Sequence, residues 1–271
     1  MATKKNPVKD LFFKDSGPKT KKKTKKTSLY VILIFIAIQF SPILFLSTTY
    51  NYFIDQGMEP DTAQAATSGW LIFIAMGIGF AIAMFVVFRD KKFFDIWKGK
   101  KLGLWWSIGW GVLGFLLLLI GQSIAALIEV AIGIEPGSEN TSNLVSIAEV
   151  VPVAIFAVVL FGPVMEELVF RRVIFGSLNQ TTNFWIATAV SAIVFAIVHM
   201  EFIHILLYFT TGLILAFLYQ KTKRLLTPII AHILLNGYVM LIQLNMDSIN
   251  RFIERMEQLE QMQFIFRLFF N

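Results

Sequence analysis

Apolar residues run along this chain in long uninterrupted stretches separated by short polar segments, with little of the alternation that marks half-buried strands. The stretches cover 29–47, 69–88, 102–133, 145–178, 184–201, 203–220 and 225–245. Most approach or exceed the ~20 residues that carry a helix across a bilayer. In lipid every backbone N–H and C=O must bond within the protein, which leaves helices or a closed barrel. Continuous runs select helices. The pattern predicts an all-α, polytopic transmembrane helical bundle of about seven spans, seven or eight, filling residues 29–245. The third stretch is long enough to be tilted, or broken near Gly121. Residues 184–220 fold either as two spans or as a re-entrant pair. Pro42, Pro152, Pro163 and Pro228 fall inside or at the ends of the runs, where neighbouring groups can satisfy the freed carbonyls. No internal repeat and no polar linker divides the bundle.

Composition supports a lipid solvent. With 27 Phe and a mean hydropathy of +0.67, the chain lacks the polar residues to cover a soluble surface. The absence of Cys removes disulfides and thiolate ligands. Residues 1–28 hold ten Lys and two Asp. They predict a disordered, solvated cytoplasmic tail, drawn to anionic lipid by about 1 kcal/mol per Lys. The apolar run that follows has no small-residue cleavage site and reads as an uncleaved first helix. In the tail 246–271, Ile249, Phe252, Ile253, Met256 and Leu259 alternate with charges. That spacing predicts an amphipathic helix, either in the membrane interface or on the bundle edge.

The net charge of +6 sits in the tail and a few loops, so it reports orientation in the bilayer rather than a nucleic-acid partner. Asp55, Glu59 and Asp61 lie in 50–67, a stretch without Lys or Arg. Arg89, Lys91, Lys92, Lys98, Lys100 and Lys101 crowd 89–101, and Lys221, Lys223 and Arg224 follow the sixth run. This asymmetry predicts a multi-pass cell-membrane protein with its N-terminus in the cytoplasm and, for seven crossings, its C-terminus outside.

Ionisable groups inside a bilayer cost roughly 2.5–3.5 kcal/mol each on insertion scales, so each needs a reason. Three clusters stand out. In Glu166-Glu167-Leu168-Val169-Phe170-Arg171, Glu167 and Arg171 are four apart and can pair. Glu166 points about 100° away around the helix. It is free to face the bundle interior, where desolvation is expected to raise its pKa toward that of a general base. Phe195 and His199 form the second cluster. His232 and Asn236, on one helix face, form the third. The bland alternatives are a charged helix end and interhelical hydrogen bonds. His204 reads as a loop or helix-start residue without a companion.

Depth separates these readings. Glu166 lies twelve residues from a turn near Leu178, and His199 fifteen from Phe184. Both then sit roughly 18–22 Å above the cytoplasmic turn at ~1.5 Å per residue. His232 and Asn236 lie roughly 10–17 Å in by the same rise. Three helices thus bring four polar groups to one layer. There is no Cys, no Ser-His-acid triad and no HExxH. Two chemistries fit. In one, Glu166 and His199 activate water while His232 and Asn236 stabilise an oxyanion. In the other, Glu166, His199 and His232 hold Zn²⁺. The residues alone do not choose.

EELVFR at 166–171, FAIVH at 195–199 and HILLN at 232–236 resemble the type II CAAX prenyl endopeptidase family, also called ABI or CPBP. Its pattern is EExxxR, FxxxH and HxxxN or HxxxB. The resemblance covers roughly 145–240. It implies an intramembrane peptidase whose polar cavity opens toward the cytoplasm and whose partner is a peptide or membrane-protein substrate. It implies water activation by Glu166 and His199, oxyanion stabilisation by His232 and Asn236, and supporting roles for Glu167, Arg171 and Phe195. The family is often labelled metalloprotease, and a metal-free glutamate mechanism has also been argued for it. Bacterial members are linked to peptide processing and bacteriocin self-immunity, and a Lys-rich, Cys-free chain of this size looks bacterial. A transporter or proton relay would be expected to show inverted repeats. A non-catalytic scaffold would not need all four polar residues.

Overall fold

The computed structural model describes residues 22–270, and the side chains of 25–260. Among the described residues there is no strand. α1 (Lys22–Phe40) passes through a 3₁₀ turn, Ser41–Phe45, into α2 (Leu46–Asp55). Pro42, in the first turn of the 3₁₀ segment, is where the helix changes pitch. The expected basic tail lies, for residues 1–21, outside the described residues. Residues 22–28, expected to be disordered, are helical. Lys propagates a helix well, and the Thr27 hydroxyl anchors this turn by donating to Asp90 Oδ2 at 2.9 Å.

α3 (Pro60–Phe88) and α4 (Leu104–Ala131) follow. α4 runs unbroken past Gly121. That glycine serves close packing: a Cβ there would lie 2.5 Å from Ile214. The stretch 145–178, expected as one span, is two elements. α5 (Glu139–Val150) ends before Pro152, which forces Val151 out of the helical region (φ −127°, ψ 80°). A second helical run, α6, then occupies 154–178. α7 (Phe184–Val198), α8 (Ile205–Thr222) and α9 (Leu226–Leu244) complete the bundle. α10 (Met246–Phe270) extends from it with Phe252, Ile253, Met256 and Leu259 exposed, so this apolar face does not pack on the bundle edge.

Among the described residues, five helical segments are long and apolar enough to cross a membrane: Lys25–Asp55, Pro60–Phe88, Leu104–Ala131, Phe202–Thr222 and Leu226–Leu244. α7 is apolar but shorter, and α6 carries four charges at its centre. α6 is the hub. Met165, Leu168, Val169, Phe170, Val173 and Phe175 are buried against α1, α3, α7 and α8. Below it, the loop 89–103 tucks inward. Arg172, fully buried, donates from Nε to the Phe93 carbonyl and lies 4.3 Å over the Phe93 ring.

Between lipid-facing helices there is little hydrophobic driving force, so close backbone approach supplies the packing. α4 meets α8 and α9 through Gly114, whose added Cβ would fall 2.4 Å from Leu218 and 3.1 Å from Ala231. α7 and α8 meet at Gly212, where a Cβ would lie 2.6 Å from Ala192 Cβ and 2.9 Å from its Cα. The second contact is to backbone and no rotamer relieves it. Gly212→Val is therefore expected to destabilise the protein by about 1–3 kcal/mol, read as a lower thermal midpoint in detergent. The milder Gly212→Ala should recover in part when combined with Ala192→Gly, which removes the Cβ contact but not the one to Cα.

Candidate active site

α6 is not a regular α-helix. Two π segments, Ala157–Phe161 and Glu167–Phe175, flank the α turn Gly162–Glu166. The cause of the first is Pro163, whose ring would clash with a carbonyl one α-turn earlier and which has no N–H. The wider π register, in which the Gly162 N–H bonds the Ala157 carbonyl, relieves the clash. In that register the Val158 carbonyl should meet residue 163, a proline. Asn236 Nδ2 donates to it instead, at 3.1 Å. One amide N–H of Asn236 thus repairs α6 and the other remains available.

Glu166 closes this α turn and Glu167 opens the next π segment, so the two acids diverge. Glu167 is fully buried. Its Oε1 lies 3.3 Å from Arg171 Nη1 and 2.9 Å from His232 Nδ1. The Arg171 contact is an ion pair without hydrogen-bond geometry, since none of its guanidinium nitrogens has a hydrogen-bond acceptor. Its second support is the Phe195 ring, 4.6 Å beneath Cζ. Glu166, with its side chain 20 % exposed, faces a cavity and approaches His232 Nε2 at 3.6 Å.

His199 does not lie deep within a helix as expected: α7 ends at Val198, and His199 is its C-cap. Its Nδ1 is 2.8 Å from the Phe195 carbonyl, which can only accept, so the ring proton sits on Nδ1 and Nε2 is left as an acceptor. Phe195 therefore has two functions: its carbonyl sets the His199 tautomer and its ring lies under Arg171.

Glu166, His199, His232 and Asn236 all line one cavity of about 700 Å³. Glu167, Arg171 and Phe170 form the buried wall behind it, and Phe195 bridges the two. The imidazole nearest Glu166 is His232, not His199. No hydrogen bond or ion pair joins Glu166 to His199 among the described residues. The zinc arrangement is not what these side chains form. Among the described residues no three His, Asp or Glu side chains converge as a ligand set. No step below runs through a metal.

The cavity occupies the half of the bundle that ends at 134–142, and none of the basic segments 89–101 and 221–224 lines it. The resemblance implies an opening on the basic side; the lining includes residues of 134–142 at the other end. Sequence reasoning also missed a second polar group there. His204 heads α8 as expected, but it has a companion: Nδ1 is 2.8 Å from Glu129 Oε2 on α4. Glu201 and Tyr208 join them in the lining. Glu129 was legible as a lone carboxylate near the end of an apolar run.

The type II CAAX prenyl endopeptidase Rce1-like family matches residues 148–238, which contain every residue of this site except the Glu129 side. Two curated bacterial proteins are similar over most of their length. “Putative membrane peptidase YdiL” of Bacillus subtilis is 33% identical over 242 residues, 89% of this chain and 97% of YdiL. “Membrane-embedded CAAX protease MroQ” of Staphylococcus aureus is 35% identical over 250 residues, again 89% of this chain and 97% of MroQ. The chain belongs to the type II CAAX prenyl endopeptidase family. No solved structure matches it. Membership in this endopeptidase family supports a membrane-embedded peptidase, and the helical bundle agrees.

The link between Asn236 and Pro163 can be tested as a pair. Asn236→Ala leaves the Val158 carbonyl without a donor and should cost about 1–3 kcal/mol. Adding Pro163→Ala returns an N–H to that register and should recover part of the loss in detergent unfolding. An equally destabilised double variant would contradict the repair.

Proposed function

We propose that this protein is an intramembrane endopeptidase that hydrolyses a peptide bond of a membrane-associated peptide or protein. The observation that carries this reading is the convergence of Glu166, His199, His232 and Asn236, from two helices and the C-terminal end of a third, on one cavity. A water in that cavity can donate one hydrogen to the Glu166 carboxylate and the other to His199 Nε2, the lone-pair nitrogen. As its oxygen attacks the substrate carbonyl carbon, Glu166 takes a proton. The carbonyl π electrons move to oxygen, and the resulting oxyanion accepts from the free Asn236 N–H and from His232 Nε2–H. To donate there His232 carries both ring protons, with Glu167 at Nδ1 and Glu166 near Nε2 as the compensating charge. The C–N bond then breaks as Glu166 returns its proton to the leaving nitrogen, giving an amine and an acid.

Peptide processing, including self-immunity to a bacteriocin, is a setting that suits this chemistry. Mass spectrometry of peptides released from membranes bearing the native protein or Glu166→Gln would identify a substrate for reconstitution. Glu166→Ala and His199→Ala should each lower its cleavage by at least about 10²-fold while the protein still accumulates. Normal cleavage by either would end this reading.

The Lys and Arg asymmetry supports a cytoplasmic N-terminus, which turns the 134–142 end of the cavity outward. The chain has no Cys, so single substitutions report sidedness. In intact cells a membrane-impermeant maleimide should label Glu135→Cys and not Lys98→Cys; the reverse pattern would invert the topology.

A further inference from the structure

The hydrolysis above leaves Glu201 unused, yet its carboxylate is a heavily occupied acceptor in the cavity wall. Oε2 accepts the Tyr208 hydroxyl at 2.6 Å. The Ser138 hydroxyl reaches both oxygens, at 2.8 and 2.9 Å, and the Asn140 backbone N–H donates to Oε1 at 2.9 Å. Burial alone would raise the Glu201 pKa. The Tyr208 hydroxyl, the Asn140 N–H and the Ser138 hydroxyl outweigh it and hold the group below the usual carboxylate range.

These donors come from two places with different work to do. Ser138 is the N-cap of α5, accepting from the Thr141 N–H at 3.0 Å. With Asn140 it belongs to the segment 134–142 that closes one end of the cavity. Tyr208 is on α8, and its ring lies 4.3 Å from the His199 ring, inclined by 32°. Met200, in the left-handed region (φ 57°), makes the reversal that puts His199 on one side and Glu201 on the other. The hydroxyl bond to Glu201 fixes the Tyr208 ring, and the ring in turn is one wall of the His199 imidazole. The His199 ring also meets Phe195, at 4.5 Å.

We propose that Tyr208 and Glu201 are positioning residues for His199, and that through Ser138 and Asn140 they couple the setting of that imidazole to closure of the cavity by 134–142. The catalytic meaning of this coupling rests on the role given to His199 above; its geometry does not. Lifting the segment strips Glu201 of the Ser138 and Asn140 donors together, so the carboxylate can swing and carry the hydrogen-bonded Tyr208 ring with it. A substrate entering by that route would reset His199 as it passes.

The experiment reads closure and imidazole setting separately, without a substrate. Val239→Cys places a thiol in the cavity lining of an otherwise Cys-free chain, and its labelling rate with N-ethylmaleimide reports closure. With only three His, ¹⁵N-histidine ring signals, assigned by single His→Gln substitutions, report the setting. The His232 signals, anchored by Glu167, report an intact fold. Glu201→Gln should raise labelling severalfold and shift the His199 signals while His232 stays put. Tyr208→Phe should shift His199 alone. Ser138→Ala should raise labelling, with a smaller His199 shift. Unmoved His199 signals in both Glu201→Gln and Tyr208→Phe would overturn the positioning role. Unchanged labelling in Glu201→Gln and Ser138→Ala would overturn the closure. If Glu201→Gln does not accumulate, the other two variants still carry one readout each. Loss of activity in Glu166→Ala bears on the peptidase reading alone and leaves these signals untouched.

Discussion

An ionised carboxylate inside a hydrocarbon slab needs a permanent counter-charge, and Arg171 gives Glu167 one at 3.3 Å. Taking both ions out of water is costly, and losing either alone would be worse, because the survivor would stay buried and unpaired. The rest of the site is arranged around this pair. Phe195 lies under the guanidinium, so α7 is seated against α6 by a cation–π contact. Glu167 also orients His232, so α9 is seated by a hydrogen bond. With these structural demands met by Glu167, its neighbour Glu166 remains directed into the cavity.

A second constraint acts through the backbone. Lipid offers no hydrogen bonds, so a proline in a membrane helix must have its orphaned carbonyl served from elsewhere. Pro163 sets the first π register of α6. The service comes from Asn236, which is thereby held in the cavity wall by a structural bond. Under the proposed hydrolysis, activity and stability share this residue, and a change there registers in both.

The clusters were legible because helical spacing is short-range: Glu167 with Arg171 and His232 with Asn236 are each four apart, and their faces follow from that alone. Helical rise alone brings Glu166, His199, His232 and Asn236 to one layer, and all four line one cavity. The split at Val151 was hidden because the apolar run continues across it, so periodicity carried no break and only Pro152 marked the place. Glu129 and His204 were missed as a pair because 75 residues separate them. Nothing local in a sequence announces a contact of that span. The π turns were equally invisible: they answer to Pro163 and to tertiary packing, not to composition.

α7 has a consequence of its own. Its 15 residues rise only about 22 Å, against ~30 Å of hydrocarbon. Alone it does not span that slab, so the lipid thins beside α7 or the polar turn at 199–204 bridges the remaining distance. Mismatch of this kind is cheap per ångström, yet it thins the lipid at the place where an extended peptide would have to slide in from the side. A short helix would then do what a dedicated channel does elsewhere, lowering the barrier to wetting a bond that lies within the membrane.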